Sequence, residues 1–187
     1  MINTTVLQLT TLFMLLNVGF CSSCKDSDSP IPIHPIEEQL PPITTTGAGT
    51  FGCRVNGKVW VAKSNKTGWS STYASISRNN DLLVHISGNI LLDNSRDDLI
   101  NLTFFYDSSN YYPLYLRKDN VPAGKYTDIL ANKFWRTDSL IGGGVTISKL
   151  DTLTQIISGI FQFSCIQKET QDTLHITEGR FDMHYTY

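Results

Sequence analysis

Apolar residues along this chain recur mainly at every second position, the period of a strand whose two faces meet different surroundings. The densest stretch is IISGIFQFSCI at 156–166, with Ile157, Phe161, Phe163 and Cys165 on one parity and Ile156, Ile160 and Ile166 on the other. That distribution predicts a central strand covered on both faces. Residues 145–150 (VTISKL) form a strand run just upstream, and the polar residues 151–154 between the two runs form a hairpin loop. Residues 99–106 alternate cleanly, placing Ile100, Leu102, Phe104 and Tyr106 on one face.

Turn chemistry sets the remaining registers. In FGCRVNGKVWVAK at 51–63, Asn56-Gly57 tolerates the positive φ of a type I′ turn. Counting back from it pairs Cys53 with Trp60 and Val55 with Lys58, so Phe51, Cys53 and Trp60 share the core face. A second hairpin flanks Asn79-Asn80, with Ala74, Ile76, Leu82, Val84 and Ile86 as its apolar positions. Residues 89–98 read as a helical turn or a loop, because Asp93, Asn94, Asp97 and Asp98 follow an apolar triplet. Residues 108–113 read as loop, 114–117, 124–129 and 133–137 as short strands, and Gly142 to Gly144 as a break. Near the end, Glu178-Gly179 taken as a two-residue turn pairs Ile176 with Phe181 and Leu174 with Met183, making 174–187 a hairpin. The predicted class is all-β: an antiparallel sandwich or a barrel-like relative of it, about ten strands with little or no helix.

With 187 residues, 41% hydrophobic and 11% aromatic, the chain has the material for one globular core. A net charge of −2, from 15 Lys and Arg against 17 Asp and Glu, does not supply the dense cationic face that nucleic acid requires. Gly142-Gly143-Gly144 lacks the preceding strand, following helix and Lys of a phosphate loop, so no nucleotide or other cofactor is expected.

The N-terminal region departs from the strand pattern. Residues 6–20 are apolar, too short and too interrupted by polar residues for a comfortable membrane span, and read as the core of a signal peptide. Ser22 and Ser23 before Cys24 provide the small residues a lipoprotein cleavage site requires, whereas Phe20 before Cys21 does not. Cys24 is therefore the expected lipidation site. The reading divides the chain into a signal peptide (1–23), a lipidated cysteine with a Pro/Ser/Thr-rich tether (24–49) and a single β domain (50–187). A prolyl tether adds little to a core, so removing residues 1–46 is expected to leave the melting temperature unchanged.

The stretch from Cys21 through Lys25-Asp26-Ser27-Asp28-Ser29 resembles lipoproteins of the Bacteroides group, in which a Lys/Asp/Ser-rich segment after the lipidated cysteine directs export to the cell surface. The segments TFGCRVNGKVW (50–60), GKY (124–126), GVTISKLD (144–151), ISGIFQF (157–163) and ITEGRFD (176–182) together resemble a family of uncharacterised lipoproteins from that group. The resemblance implies a secreted, sandwich-like β domain anchored at the outer membrane or cell surface, with no established activity and no catalytic residues.

Candidate chemistry is sparse. In the hairpin register His175 faces Asp182, with His184 further along the same face, a pair that could serve a hydrolase, yet no nucleophile motif accompanies it. No histidine spacing suits a metal, and Asp93, Asp97 and Asp98 lack the spacing of a calcium loop. Cys53 and Cys165 both take core parity; a disulfide between them and two buried thiols are the alternatives. Trp69, Tyr111, Tyr112 and Tyr115 fall in or beside loops, where aromatic rings stack on sugars. The function expected from these residues is a non-enzymatic binding or structural module contacting a glycan or a protein, with a lipocalin-like carrier and a hydrolase at His175, Asp182 and His184 as alternatives.

Overall fold

The structure, a computed structural model, describes residues 38–78, 82–93, 95–115 and 124–187. The expectations for residues 6–20, Cys21, Cys24, Asn79-Asn80 and Arg117 lie outside these. Among the described residues, twelve strands form one mixed sheet. They are β1 (Thr50–Val55), β2 (Lys58–Val61), β3 (Lys63–Ser64), β4 (Thr72–Arg78), β5 (Leu82–Leu92), β6 (Arg96–Tyr106), β7 (Tyr111–Leu114), β8 (Gly124–Asp128), β9 (Lys133–Arg136), β10 (Gly143–Asp151), β11 (Ile156–Ile166) and β12 (Thr173–His184). The sheet runs β2-β1-β12-β11-β9-β8-β6-β5-β3, with β10 and then β7 branching from β11 and with β4 on β5.

Its two ends approach each other. β3 follows β2 directly in the chain and pairs with β5 in parallel, and Ser75 of β4 bridges to Thr186 just beyond β12. The expected all-β architecture is thus a single sheet, nearly closed and barrel-like. Curling leaves fewer unpaired edges than two open layers would.

The first hairpin has the expected register, Cys53 opposite Trp60 and Val55 opposite Lys58, with Asn56 and Gly57 at φ 48° and 80°. Residues 89–98, expected as a helical turn or loop, instead complete a long β5–β6 hairpin whose register runs unbroken from Leu82–Tyr106 to Leu92–Arg96. Val84, Ile86, Gly88 and Ile90 hold one inward parity throughout, so the core-facing pattern outlasts the polar residues that suggested a stop. β7 begins at Tyr111, earlier than expected. Pro113 lacks an N–H but is tolerated because β7 pairs only with β10. The glycine run is no break either: Gly143 and Gly144 open β10, and a Cβ on Gly143 would sit 2.0 Å from the Gln162 carbonyl oxygen.

The predicted C-terminal turn is the largest correction. β12 is one continuous strand between β1 and β11, and Glu178-Gly179 forms a bulge with Glu178 at φ 51°. Phe161 pairs with Gly179 and Phe163 with Ile176, so β12 spends one extra residue there. That extra residue reverses parity and keeps Ile176, Phe181 and Met183 all facing inward, the same grouping that a turn would have produced.

Inside the barrel, Phe51, Trp60, Phe161, Phe163 and Phe181 form one packed cluster. The Phe51 ring lies against the backbone of Gly88, where a Cβ would meet it at 2.4 Å. β11 contributes Ile157, Phe161, Phe163 and Cys165 inward, as expected, but its outer face is covered only at one end. Ile156 and Ser158 are buried there, whereas Ile160 is 41% exposed.

The cover at that end is residues 41–48. The compact unit runs Glu38–Tyr187 and so begins before the expected Thr50. The Pro41 ring lies on Gly52, where a Cβ would meet it at 2.6 Å, and Lys63 pairs with Glu38 at 2.7 Å. This segment is a strap on the barrel wall.

Candidate functional site

Beyond the strap the outer face of the sheet opens into a groove of about 290 Å³. Its floor is one rung of the sheet: Tyr111 of β7 pairs with Thr146 of β10, Thr146 with Ile160 of β11, and Ile160 with Arg180 of β12. Outward parity at each of these positions turns the four side chains to the same side. Gln162 and Glu178 add polar groups beside this rung, Gly144, Phe161 and Gly179 also line the groove, and Ile43 of the strap forms a wall.

Tyr111 is the fixed point of the groove. Its ring lies over Gly144, where a Cβ would fall 2.3 Å from two ring carbons and from the hydroxyl oxygen, and its hydroxyl donates to the Gly143 carbonyl at 3.3 Å. Tyr111 is nevertheless 57% exposed as a residue, so with one side of its ring against Gly144 the other is offered to solvent. Glu178 lies between two guanidinium groups, 3.0 Å from Arg54 Nε and 3.9 Å from Arg180 Nη2. The groove therefore combines one seated aromatic face, two aliphatic side chains, an amide, a hydroxyl and a guanidinium, with its carboxylate already ion-paired.

The strap beside it is held through Asp182, which is 1% exposed although it sits at an outward position of β12. Its Oδ2 accepts from Thr44 Oγ1 at 2.6 Å, Thr46 N at 2.9 Å, Thr46 Oγ1 at 3.3 Å and Ala48 N at 3.2 Å. Its Oδ1 accepts from Gly47 N at 2.8 Å and Ser158 Oγ at 2.7 Å. Gly47, at φ 78°, lets three successive amides converge on one carboxylate. Burial acts to raise this carboxyl, but the hydrogen bonds from Thr44, Ser158, Thr46 and Gly47 prevail and hold it well below the usual carboxylate range.

Of the aromatic candidates, only Tyr111 lines the groove. Tyr112 is a core residue, 3% exposed and stacked on Phe104 and Tyr106 at 4.7 and 5.7 Å, because β7 starts early and gives it inward parity. Trp69 is 67% exposed but lies in the loop between β3 and β4, and Tyr115 follows the end of β7. His175, Asp182 and His184 do not converge as the hairpin register would require. His175 and Asp182 share one extended strand, opposite Ser164 and Ser158 respectively. His175 Nδ1 lies 2.9 Å from Ser164 Oγ, and His184 Nδ1 lies 3.2 Å from the Thr154 carbonyl.

Cys53 and Cys165 are free, buried thiols. β12 runs between their strands, which separates them by two strand spacings, about 10 Å, beyond disulfide reach. Burial pushes both thiols up, Cys165 to about 12. Asp98, expected in a helical turn or a loop, is a buried strand residue bonded by the Arg96 guanidinium and, at 3.4 Å, by Trp60 Nε1. Among the described residues no group of three ligating side chains forms a metal site.

A family model described as a domain of unknown function, DUF6252, matches residues 56–183. The chain belongs to this family. No curated protein and no solved structure matches it. The DUF6252 match spans all the strands that floor the groove, while Ile43 and the rest of the strap precede it.

Proposed function

We propose that this DUF6252 chain is a non-enzymatic binding module whose groove takes a carbohydrate, with one sugar ring stacked on Tyr111. The observation that carries this reading is a ring fixed on Gly144 with its opposite face exposed, beside Gln162, Thr146 and Arg180. A rigid aromatic face stacks on the C–H face of a sugar at little entropic cost, and adjacent amide and guanidinium groups take its hydroxyls. The barrel interior is occupied by the rings of Phe51, Trp60 and Phe161, which leaves the carrier alternative without support. The hydrolase alternative needs His175, Asp182 and His184 together, and these lie along one strand with Asp182 bound to the strap; among the described residues the groove's one carboxylate is the ion-paired Glu178, whereas glycoside cleavage uses a pair.

The test is titration calorimetry of the full chain against linear hexasaccharides of glucose, xylose and mannose. Tyr111→Ala is expected to weaken the best of them at least about tenfold, a loss of about 1.4 kcal/mol. Equal affinity in the variant would remove Tyr111 from the site.

The proposed location is the outer membrane or cell surface, with the chain exported by its signal peptide and anchored through Cys24, in keeping with its resemblance to Bacteroides-group lipoproteins. Two or more acyl chains on one cysteine would hold it permanently, since each buried CH₂ contributes about 0.8 kcal/mol. Cys24→Ala in the native host is expected to release the protein from the membrane fraction. Retention of that variant together with release of Cys21→Ala would move the anchor to Cys21. Retention of both would end the lipoprotein reading.

A further inference from the structure

Ile43 forms a wall of the groove yet is itself 62% exposed, so burial does little to hold it in place. Its neighbour Thr44 is the first of the strap residues bonded to Asp182. Within residues 41–48 two longer polar ties also reach the sheet, Lys149 Nζ to the Thr45 carbonyl at 3.2 Å and Arg180 Nη1 to the Pro41 carbonyl at 3.4 Å, while the Lys63–Glu38 ion pair just ahead of them is solvent-exposed on both sides. Ile43 thus takes its position from a segment that one buried carboxylate clamps, and Arg180, whose Nε donates to the Glu178 carbonyl at 3.2 Å and whose Nη2 lies 3.9 Å from the Glu178 carboxylate, gains a further tie from that segment.

We propose that Asp182 is the positioning residue of the groove: by clamping residues 44–48 it sets Ile43 in place and keeps the further tie on Arg180, and the groove is complete only while the strap is docked. The inference rests on the carbohydrate reading for its ligand, but its structural half stands on the strap alone. A docked strap completes the site in advance of the ligand, so the ordering cost is met by the protein's own hydrogen bonds.

The experiment compares the full chain with Asp182→Asn, which puts an amide donor where the strap's donors converge. Hydrogen exchange is followed at residues 46–48, hydroxyl-radical oxidation at Ile156 and Ile160, and affinity for the hexasaccharide that the unaltered protein binds best. Asp182→Asn is expected to speed exchange at 46–48 by at least about tenfold, to raise Ile156 oxidation several-fold and to weaken binding about tenfold. Exchange at Phe161 and Phe163 should stay slow, which separates strap release from general loosening. Thr44→Val with Thr46→Val, which spares the carboxylate, should give the same pattern at smaller amplitude. Ile43→Ala should weaken binding while leaving 46–48 protected.

Native exchange at 46–48 in Asp182→Asn would overturn the proposal, as would fast exchange with undiminished affinity. If the unaltered protein binds none of the sugars, the carbohydrate reading fails. The structural half is then decided by exchange and oxidation: native exchange at 46–48, or unchanged oxidation at Ile156 and Ile160, would overturn it.

Discussion

Replacing Phe161 with alanine is expected to lower the free energy of unfolding by about 3–5 kcal/mol, lost burial and an unfilled cavity acting together. The ring is 3% exposed and lies within 5.0 Å of Phe51 and 6.3 Å of both Phe163 and Phe181, centroid to centroid. It touches β1, β11 and β12 through these partners and also occupies the space above Gly179, where a Cβ would meet it at 2.5 Å. Gly179→Ala should therefore destabilise the native protein by crowding an immobile core ring, and should do so less in the Phe161→Ala background. Denaturant titration of the four proteins closes the cycle. A loss under about 1 kcal/mol for Phe161→Ala would mean that the ring is not a core element.

Asp182→Ala is expected to cost about 2–4 kcal/mol. Hydrogen bonds to a charged group contribute about 1.5–3 kcal/mol each, but the loss is capped because an undocked strap returns its amides to water. The effect should depend on pH with a definite sign. The carboxyl is held below its ordinary value in the folded protein, so its stabilisation is fully present above the unfolded value, about 4, and is lost as pH falls below it. Urea titrations at pH 7 and pH 3 should show a smaller difference for Asp182→Asn than for the unaltered protein. An equal difference in both would assign the acid sensitivity to other carboxylates.

Truncation probes the same contact. The reference is a chain that begins at Glu38, where the compact unit starts. Removing residues 1–46 takes away Thr44 and Thr46 and should lower the melting temperature by about 5 °C or more, at roughly 2–4 °C per kcal/mol for a domain of this size. The sequence alone predicts no change for that longer cut. The difference is the strap.

Much of the barrel was legible in the order of residues because its signals are local. Alternation in β6, the Asn56-Gly57 turn and the polar β10–β11 loop each depend on neighbours a few positions apart. The same locality explains the errors. Glu178-Gly179 satisfies the chemistry of both a turn and a bulge, since both need a residue at positive φ, and the choice falls to the pairing partners on either side. In β12 those partners are β1 and β11, which engage it along both edges and leave it no room to fold back. His175 and Asp182 lost their predicted pairing for that reason. Tyr112 passed from loop to core because the start of β7 is set by β10, more than twenty residues later.

By itself the sequence determined the all-β class, the inward set of apolar residues and the registers of hairpins closed by tight turns, because period and turn chemistry act over a few residues. Only the tertiary structure decided that Tyr111 lies on Gly144 and that Asp182 receives Thr44, Thr46, Gly47 and Ala48. An outward Asp in a strand and a Thr-rich segment after prolines each look like ordinary solvated surface. Their meeting joins positions more than 130 residues apart, a distance over which no local periodicity carries information.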